Sequence, residues 1–395
     1  MSTLPTPSPE AQKHSETLMA CIKKRIVKTG GWLGFADFMH ISLYEPALGY
    51  YSGGAKKFGL GGDFVTAPEI SPLFAQTLTR QVAQALAMTS SSNANADILE
   101  LGAGTGQLAA DLLLELQVLA QLPAHYFILE VSDHLRQIQL ETLKKHLPDD
   151  LMQRVQWINI LPQAFTGVIL GNEVLDAIPA HIVHIQTDGI YERGVAIAQE
   201  KLVWQDRQLD DNSSLYARHL LETVSKLDLP NDYVTEINLA ASGLIASLAR
   251  VLQHGVILMI DYGFAAREYY HPQRNLGTLM CHYQHYAHTD PLINVGLQDI
   301  TAHVNFTAIA QAGVDNGLTL SGFCSQAQFL MNCGVLDLLS QVSPSEMASY
   351  APLAAAAQKL LSPAEMGDLF KVIGFSKNID APLIGFTKGD KSHTL

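Results

Sequence analysis

The residues of this chain whose types and spacing could do chemistry begin with ELGAGTGQL, Glu100 to Leu108. Gly102, Gly104 and Gly106 alternate there with other residues, between an apolar run and a helical stretch (LAADLLLELQVLAQL). Without a Cβ a backbone can turn sharply and come close to a ligand. Strand, glycine loop and helix in that order are the setting of a nucleotide-type site. The dinucleotide fingerprint places its third glycine one residue later, to seat a pyrophosphate at a helix N-terminus; here that position is Gln107. The spacing therefore favours S-adenosylmethionine, which has no phosphate, over a dinucleotide. Glu130 ends the next apolar run, where an acid can bond both ribose hydroxyls. The competing reading makes Glu100 and Glu130 surface carboxylates at strand ends and the glycines a plain turn.

A second group lies in GVILGNEVLDAIP, Gly167 to Pro179. Asn172 and Glu173 fall at the carboxyl end of a strand, the edge at which open α/β sheets bind ligands. Asp176 follows three residues later and shares that crevice if the segment turns helically. Two carboxylates beside a sulfonium suit an arginine guanidinium, gripped through paired charge-assisted hydrogen bonds. Methyl transfer chiefly requires alignment of the nucleophile, and a nearby carboxylate can take the proton it loses. Glu173 and Asp176 are thus the candidate catalytic pair. The alternative is that Asp176 caps the following segment, and only Asn172 or Glu173 touches the cofactor. Asp261-Tyr262-Gly263 ends another strand at the same edge, either lining the site or forming an ordinary turn.

Other signals carry less. Cys281, His282, His285 and His288 in CHYQHYAH have a spacing that could hold a metal, but they read better as a pocket-lining segment, and no metal is expected. SGGAKKFGLGG (52–62) lacks the phosphate-loop lysine. His303 is either a base or a histidine tied into local hydrogen bonds.

The elements needed to position these groups follow from periodicity. Short apolar runs alternate with helical stretches, the pattern of a parallel α/β sheet. Seven strands are predicted: 97–101, 125–131, 155–159, 167–173, 255–263, 318–323 and 370–375. A helix over 17–28 should stop at Gly30-Gly31. Another should start at Ser71-Pro72 and turn Phe74, Leu78, Val82, Ala85 and Leu86 to one face. HIVHIQTDGIYERGVAIAQEKLVWQD alternates with period two and turns at Asp188-Gly189, an inserted antiparallel unit. Residues 325–368 read as mainly helical.

The domain reading is a flexible tail over 1–18, a helical cap segment over 19–90, and a core over 91–395 with insertions at about 180–232 and 325–368. The net charge of −13 and the lack of a basic run argue against a nucleic-acid partner. With 48% hydrophobic and 16% charged residues the chain is globular. Four scattered cysteines read as reduced thiols. No signal peptide, transit peptide or membrane-spanning run is recognised, so the expected location is cytoplasmic, without membrane insertion.

Together these residues resemble a known family, the MidA-like proteins related to the mitochondrial complex I assembly arginine methyltransferase. The matching segments are LYEPALGYYS (43–52), GGDFVTAPEISPLFAQ (61–76), ELGAGTGQLAADLL (100–113), GNEVLDAIPAH (171–181), IDYGF (260–264), GTLMCHYQHYAHTDPLINVGLQDITAHVNFTAI (277–309) and MGDLFKVIGF (366–375). The resemblance implies a seven-stranded, Rossmann-like class I methyltransferase fold using S-adenosylmethionine, with a helical N-terminal segment and inserted antiparallel and helical elements. It also implies a protein substrate presenting arginine, and complex I assembly for the mitochondrial members. Glu100, Gly102, Gly104, Gly106 and Glu130 become cofactor contacts, and Asn172 and Glu173 border the transfer site. Asp63, Thr66, Pro68 and Glu69 belong to a segment folded over the cofactor. Two other functions remain open: an assembly factor that keeps the pocket but mainly holds a partner, and a small-molecule methyltransferase.

Overall fold

The structure is a computed structural model that describes residues 4–53, 66–90, 96–210 and 214–395. Its centre is a sheet of β1 (Asp97–Leu101), β2 (Tyr126–Leu129), β3 (Val155–Ile158), β4 (Phe165–Asn172), β5 (Leu252–Phe264), β6 (Thr319–Ser325) and β7 (Phe370–Lys377). They lie in the order β3-β2-β1-β4-β5-β7-β6. The first five in that order are parallel, and β7 runs antiparallel to both its neighbours. All seven predicted strands are present, with ends shifted by a few residues. Strand order reverses between β1 and β4, which creates the crevice where such sheets bind ligands.

Successive side chains leave a strand on opposite faces. Ile98, Ile128, Val168, Leu170, Val256 and Leu258 therefore join one core cluster with Phe74 and Leu78 of the helix Pro72–Thr89 and Leu112 of the helix Gln107–Val118. Leu99, Ile169, Ile257 and Met259 join a second cluster with the helices Leu239–Val251 and Phe306–Asp315. With helices on both faces, β5 is buried without a break from Gly255 to Asp261, which explains the apolar run there.

The helix Pro72–Thr89 starts where the sequence places it, with the Ser71 side chain accepting from Leu73 N. All five residues assigned to its inner face are buried. The N-terminal helix corrects the expectation: it runs from Pro9 to Lys28, so the segment read as a tail is helical well before Leu18. The Ser8 side chain accepts from Ala11 N and Pro9 occupies the first turn. The Pro/Ser richness taken for a loop is thus a helix start. Leu18, Ile22 and Ile26 are buried on one face, and the helix ends before Gly30 and Gly31, whose φ values are 79° and 89°.

The antiparallel insertion is present, with the strands His181–Gln186, Gly189–Ala198 and Lys201–Gln208. Its sheet is larger than expected. Tyr233–Ile237 pairs with His181–Gln186, and Leu33–Gly34 from the N-terminal segment pairs with Gly189–Ala198. The N-terminal helices and the insertion consequently share one hydrophobic cluster. A small sheet not foreseen from the sequence, Met280–Tyr283, Tyr286–His288 and Asp299–Thr301, packs into the same cluster through Cys281 and Ile300. The helices Gln326–Asn332, Val335–Ser340 and Met347–Leu361 occupy the region between β6 and β7. Among the described residues no helix is long and apolar enough to cross a membrane.

Candidate active site

Past Leu101 the backbone turns through Gly102, Gly104 and Gly106 at φ values of 59°, 53° and 85° before the helix Gln107–Val118 begins. Only glycine enters that region freely. The glycines are not equivalent. A Cβ on Gly104 would meet nothing within 4 Å, whereas one on Gly106 would lie 3.1 Å from Gln139 Cα. Gly104 leaves room for a ligand, and Gly106 lets the helix Asp133–His146 close against the loop.

The loop borders a cavity of about 590 Å³. Glu100, Gly102, Gly104, Glu130, Asn172, Glu173 and Asp176 all line it, as do Thr66, Pro68 and Glu69. Gly106 does not, and Asp63 lies outside the described residues. The cap segment meets the loop directly, since Thr105 Oγ1 donates to Glu69 Oε1 at 2.9 Å.

Glu130 is 5% exposed and held at both oxygens. Oε1 accepts from Ser132 N and Oε2 from Gln139 Nε2, each at 2.9 Å. Gln139 also donates to Gly104 O at 3.1 Å and accepts from Trp157 Nε1 at 2.9 Å, so loop and acid share one support. Each carboxylate oxygen retains a lone pair for a further donor. Glu100 is likewise buried rather than on the surface. Burial pushes its carboxyl up to about 7, against the opposing hydrogen bond from the Tyr126 hydroxyl at 2.8 Å.

At the end of β4 the chain breaks direction at Glu173, whose φ is 53°. Asn172 Nδ2 donates to Glu173 Oε1 at 3.1 Å. Asn172 Oδ1 and Asp176 Oδ1 are buried without a hydrogen-bond partner among the described residues. Such groups are costly to leave unsatisfied and mark places where a ligand can donate. Burial, reinforced by the charge of Asp176, pushes the Glu173 carboxyl up to about 8. Burial also raises Asp176, to about 6, and a hydrogen bond from the Tyr262 hydroxyl opposes it.

Asp261 does not line the cavity; it clamps the turn that carries the candidate acids. Its Oδ2 accepts from the backbone N–H of Val174, Leu175 and Asp176 at 3.1, 2.8 and 3.3 Å. Its neighbour Tyr262 does line the cavity. Asp261→Ala would strand the buried N–H donors of Leu175 and Asp176 and the half-buried one of Val174, and is expected to lower unfolding free energy by about 3 kcal/mol in urea titration. Equal urea midpoints for variant and wild type would contradict the clamp.

Several lining residues escaped the sequence reading. Tyr44 and Tyr51 come from the N-terminal segment, and Asp299 and Thr301 from the small unforeseen sheet. The Tyr51 hydroxyl donates to Asp299 Oδ1 at 2.9 Å, while Ser132 Oγ donates to Tyr51 O at 2.8 Å. The available signal was the aromatic density of LYEPALGYYS and the acid in DITAHVNF. In CHYQHYAH, Cys281 is buried while His282 lines the cavity, as alternation along a strand requires. Among the described residues no group of three His, Cys, Asp or Glu side chains could hold a metal.

The chain is similar to several known proteins. Residues 77–324 match a family model described as an S-adenosyl-L-methionine-dependent methyltransferase. A crystal structure from Burkholderia thailandensis bound to S-adenosyl-homocysteine is 47% identical, with full coverage of both chains and a TM-score of 0.94. A mitochondrial protein arginine methyltransferase of Danio rerio is 26% identical, over 95% of this chain and 93% of its own. A homolog in Caenorhabditis elegans is 27% identical, over 83% and 78% respectively.

Proposed function

This chain belongs to the S-adenosyl-L-methionine-dependent methyltransferases, and from that premise we propose that its methyl acceptor is an arginine presented by a protein. The observation that carries the reading is the buried Asp176 and half-buried Glu173, lining one cavity with the glycine loop, with Asp176 Oδ1 lacking a partner among the described residues. A guanidinium supplies donors in a planar fork and a positive charge, matching two adjacent carboxylates. The names of the curated relatives support the same acceptor.

The residues present fit the cofactor. Gly104 faces open space, Glu130 keeps acceptor capacity for two sugar hydroxyls, and the orphaned Asn172 Oδ1 awaits a donor. Glu100, Gly102, Gly104, Thr66, Pro68 and Glu69 would hold the remainder, with Asp63 as a further proposed contact. When bound, S-adenosylmethionine supplies an electrophilic methyl group. Glu173 and Asp176 accept N–H groups of the guanidinium and hold one nitrogen in line for attack. The proton lost by that nitrogen passes to the Glu173 carboxylate. Thr66, Pro68, Glu69 and Tyr44 line the cavity and would help to exclude water from it.

All four cysteines are free thiols, which supports a reducing compartment such as the cytoplasm. The direct test is labelling of a host lysate with tritiated cofactor, followed by mass spectrometry. Tritium on protein arginine is the expected result; tritium confined to free metabolites would replace this acceptor with a small molecule.

A further inference from the structure

His303 lines the cavity with its ring against Tyr262, whose hydroxyl bonds Asp176, yet the proposed transfer does not use it. Its surroundings are built in unusual detail. Its backbone N donates to Thr278 Oγ1 at 3.1 Å, and its ring Nδ1 lies 3.4 Å from Thr278 O. A carbonyl oxygen can only accept, so Nδ1 carries the hydrogen and Nε2 is left as the ring's acceptor. Thr278 is fixed in turn by Glu236, 2% exposed, which accepts from Thr278 N at 3.0 Å and Thr278 Oγ1 at 2.9 Å. A Cβ on Gly277 would lie 2.2 Å from Glu236 Oε1, so the backbone before Thr278 approaches Glu236 as closely as glycine permits. The imidazole stacks on Phe264 at 5.3 Å and 9° and meets Tyr262 edge-on at 5.0 Å. The Arg274 guanidinium lies over the same Phe264 ring at 4.1 Å.

We infer that His303 is a recognition group for the methyl acceptor: held by Thr278 as its Nδ1–H tautomer, it offers Nε2 to an N–H of the arginine guanidinium. The inference rests on the arginine reading above and adds a third contact to Glu173 and Asp176. His303 is a hydrogen-bond acceptor here and not the base. Burial lowers its pKa to about 4, with Arg274 and Lys371 adding to the effect, so the ring stays neutral near pH 7 and takes up a proton poorly. Glu236 and Thr278 are positioning residues that act through it.

The test uses a bisubstrate compound in which a guanidine is tethered to the adenosine moiety in place of the sulfonium methyl group. Calorimetry on the full chain compares it with S-adenosyl-homocysteine. The wild type should bind the guanidine compound more tightly, and His303→Ala should lose about tenfold of that gain with its S-adenosyl-homocysteine affinity unchanged. His303→Asn, which keeps an acceptor oxygen, should recover part of it. An undiminished gain in His303→Ala overturns the inference. No gain in the wild type overturns the arginine reading, and this contact with it. Imidazole nitrogen shifts of the wild-type protein give a measurement independent of any variant: Nδ1–H is expected at His303, and Nε2–H would refute the assignment.

Discussion

Glutamine in place of Glu173 is expected to slow methyl transfer by about 100-fold or more, the usual scale for loss of a positioned proton acceptor. The substitution keeps the size of the side chain and a partner for Asn172 Nδ2, so the turn should survive. It removes both the charge that attracts a guanidinium and the atom that receives its proton. The pH dependence separates this role from a packing role. Burial, with Asp176 nearby, raises the Glu173 carboxyl to about 8, so below that pH most molecules carry it neutral. As pH rises through about 8 the carboxylate forms, and kcat/KM for the acceptor should climb and then level. Glu173→Gln should lack that rising limb. A variant with wild-type rate and an unchanged profile would remove Glu173 from the transfer step.

Gly104→Val is expected to abolish cofactor binding, with at least about 100-fold loss of affinity for S-adenosyl-homocysteine by calorimetry. A Cβ at this position meets nothing within 4 Å, so the new side chain enters the space left for the ligand rather than the protein core. The φ of 53° adds strain of about 1–2 kcal/mol for a residue with a side chain. The empty variant should therefore melt only slightly below the wild type. Saturating S-adenosyl-homocysteine should raise the wild-type melting temperature and leave that of the variant unmoved. A normal ligand shift in Gly104→Val would mean that the cofactor does not approach this loop. The same variant separates enzyme from scaffold: a partner-holding factor would still support its partner, whereas a methyltransferase would not.

Features specified over a dozen residues or fewer were legible in the chain. The parallel strands show as apolar runs bounded by turns, because burial on both faces leaves no polar alternation to obscure them. The glycine loop was visible because its positive φ values admit little but glycine. Ser71-Pro72 announced a helix through a cap and a preset φ. The same logic applied to Ser8-Pro9 would have placed the first helix correctly, but the composition around it pointed to a loop.

What escaped depends on residues far apart in sequence. The Tyr51–Asp299 bond joins positions 248 apart, and the Asp261 clamp reaches Leu175 across 86 positions. Neither pairing has a local signal, since each partner is an ordinary residue until the sheet and insertion bring them together. The chain alone therefore offered as candidates the strand–loop–helix, the acid Glu130 after the second strand, and the acids that follow β4, because short-range backbone geometry marks strand ends and glycine turns. Whether those acids were exposed or buried, paired or orphaned, charged or neutral was settled by the folded molecule. Desolvation and hydrogen-bond partners are supplied by whatever segments pack around a side chain, and here those came from the N-terminal helices, the small sheet and β5.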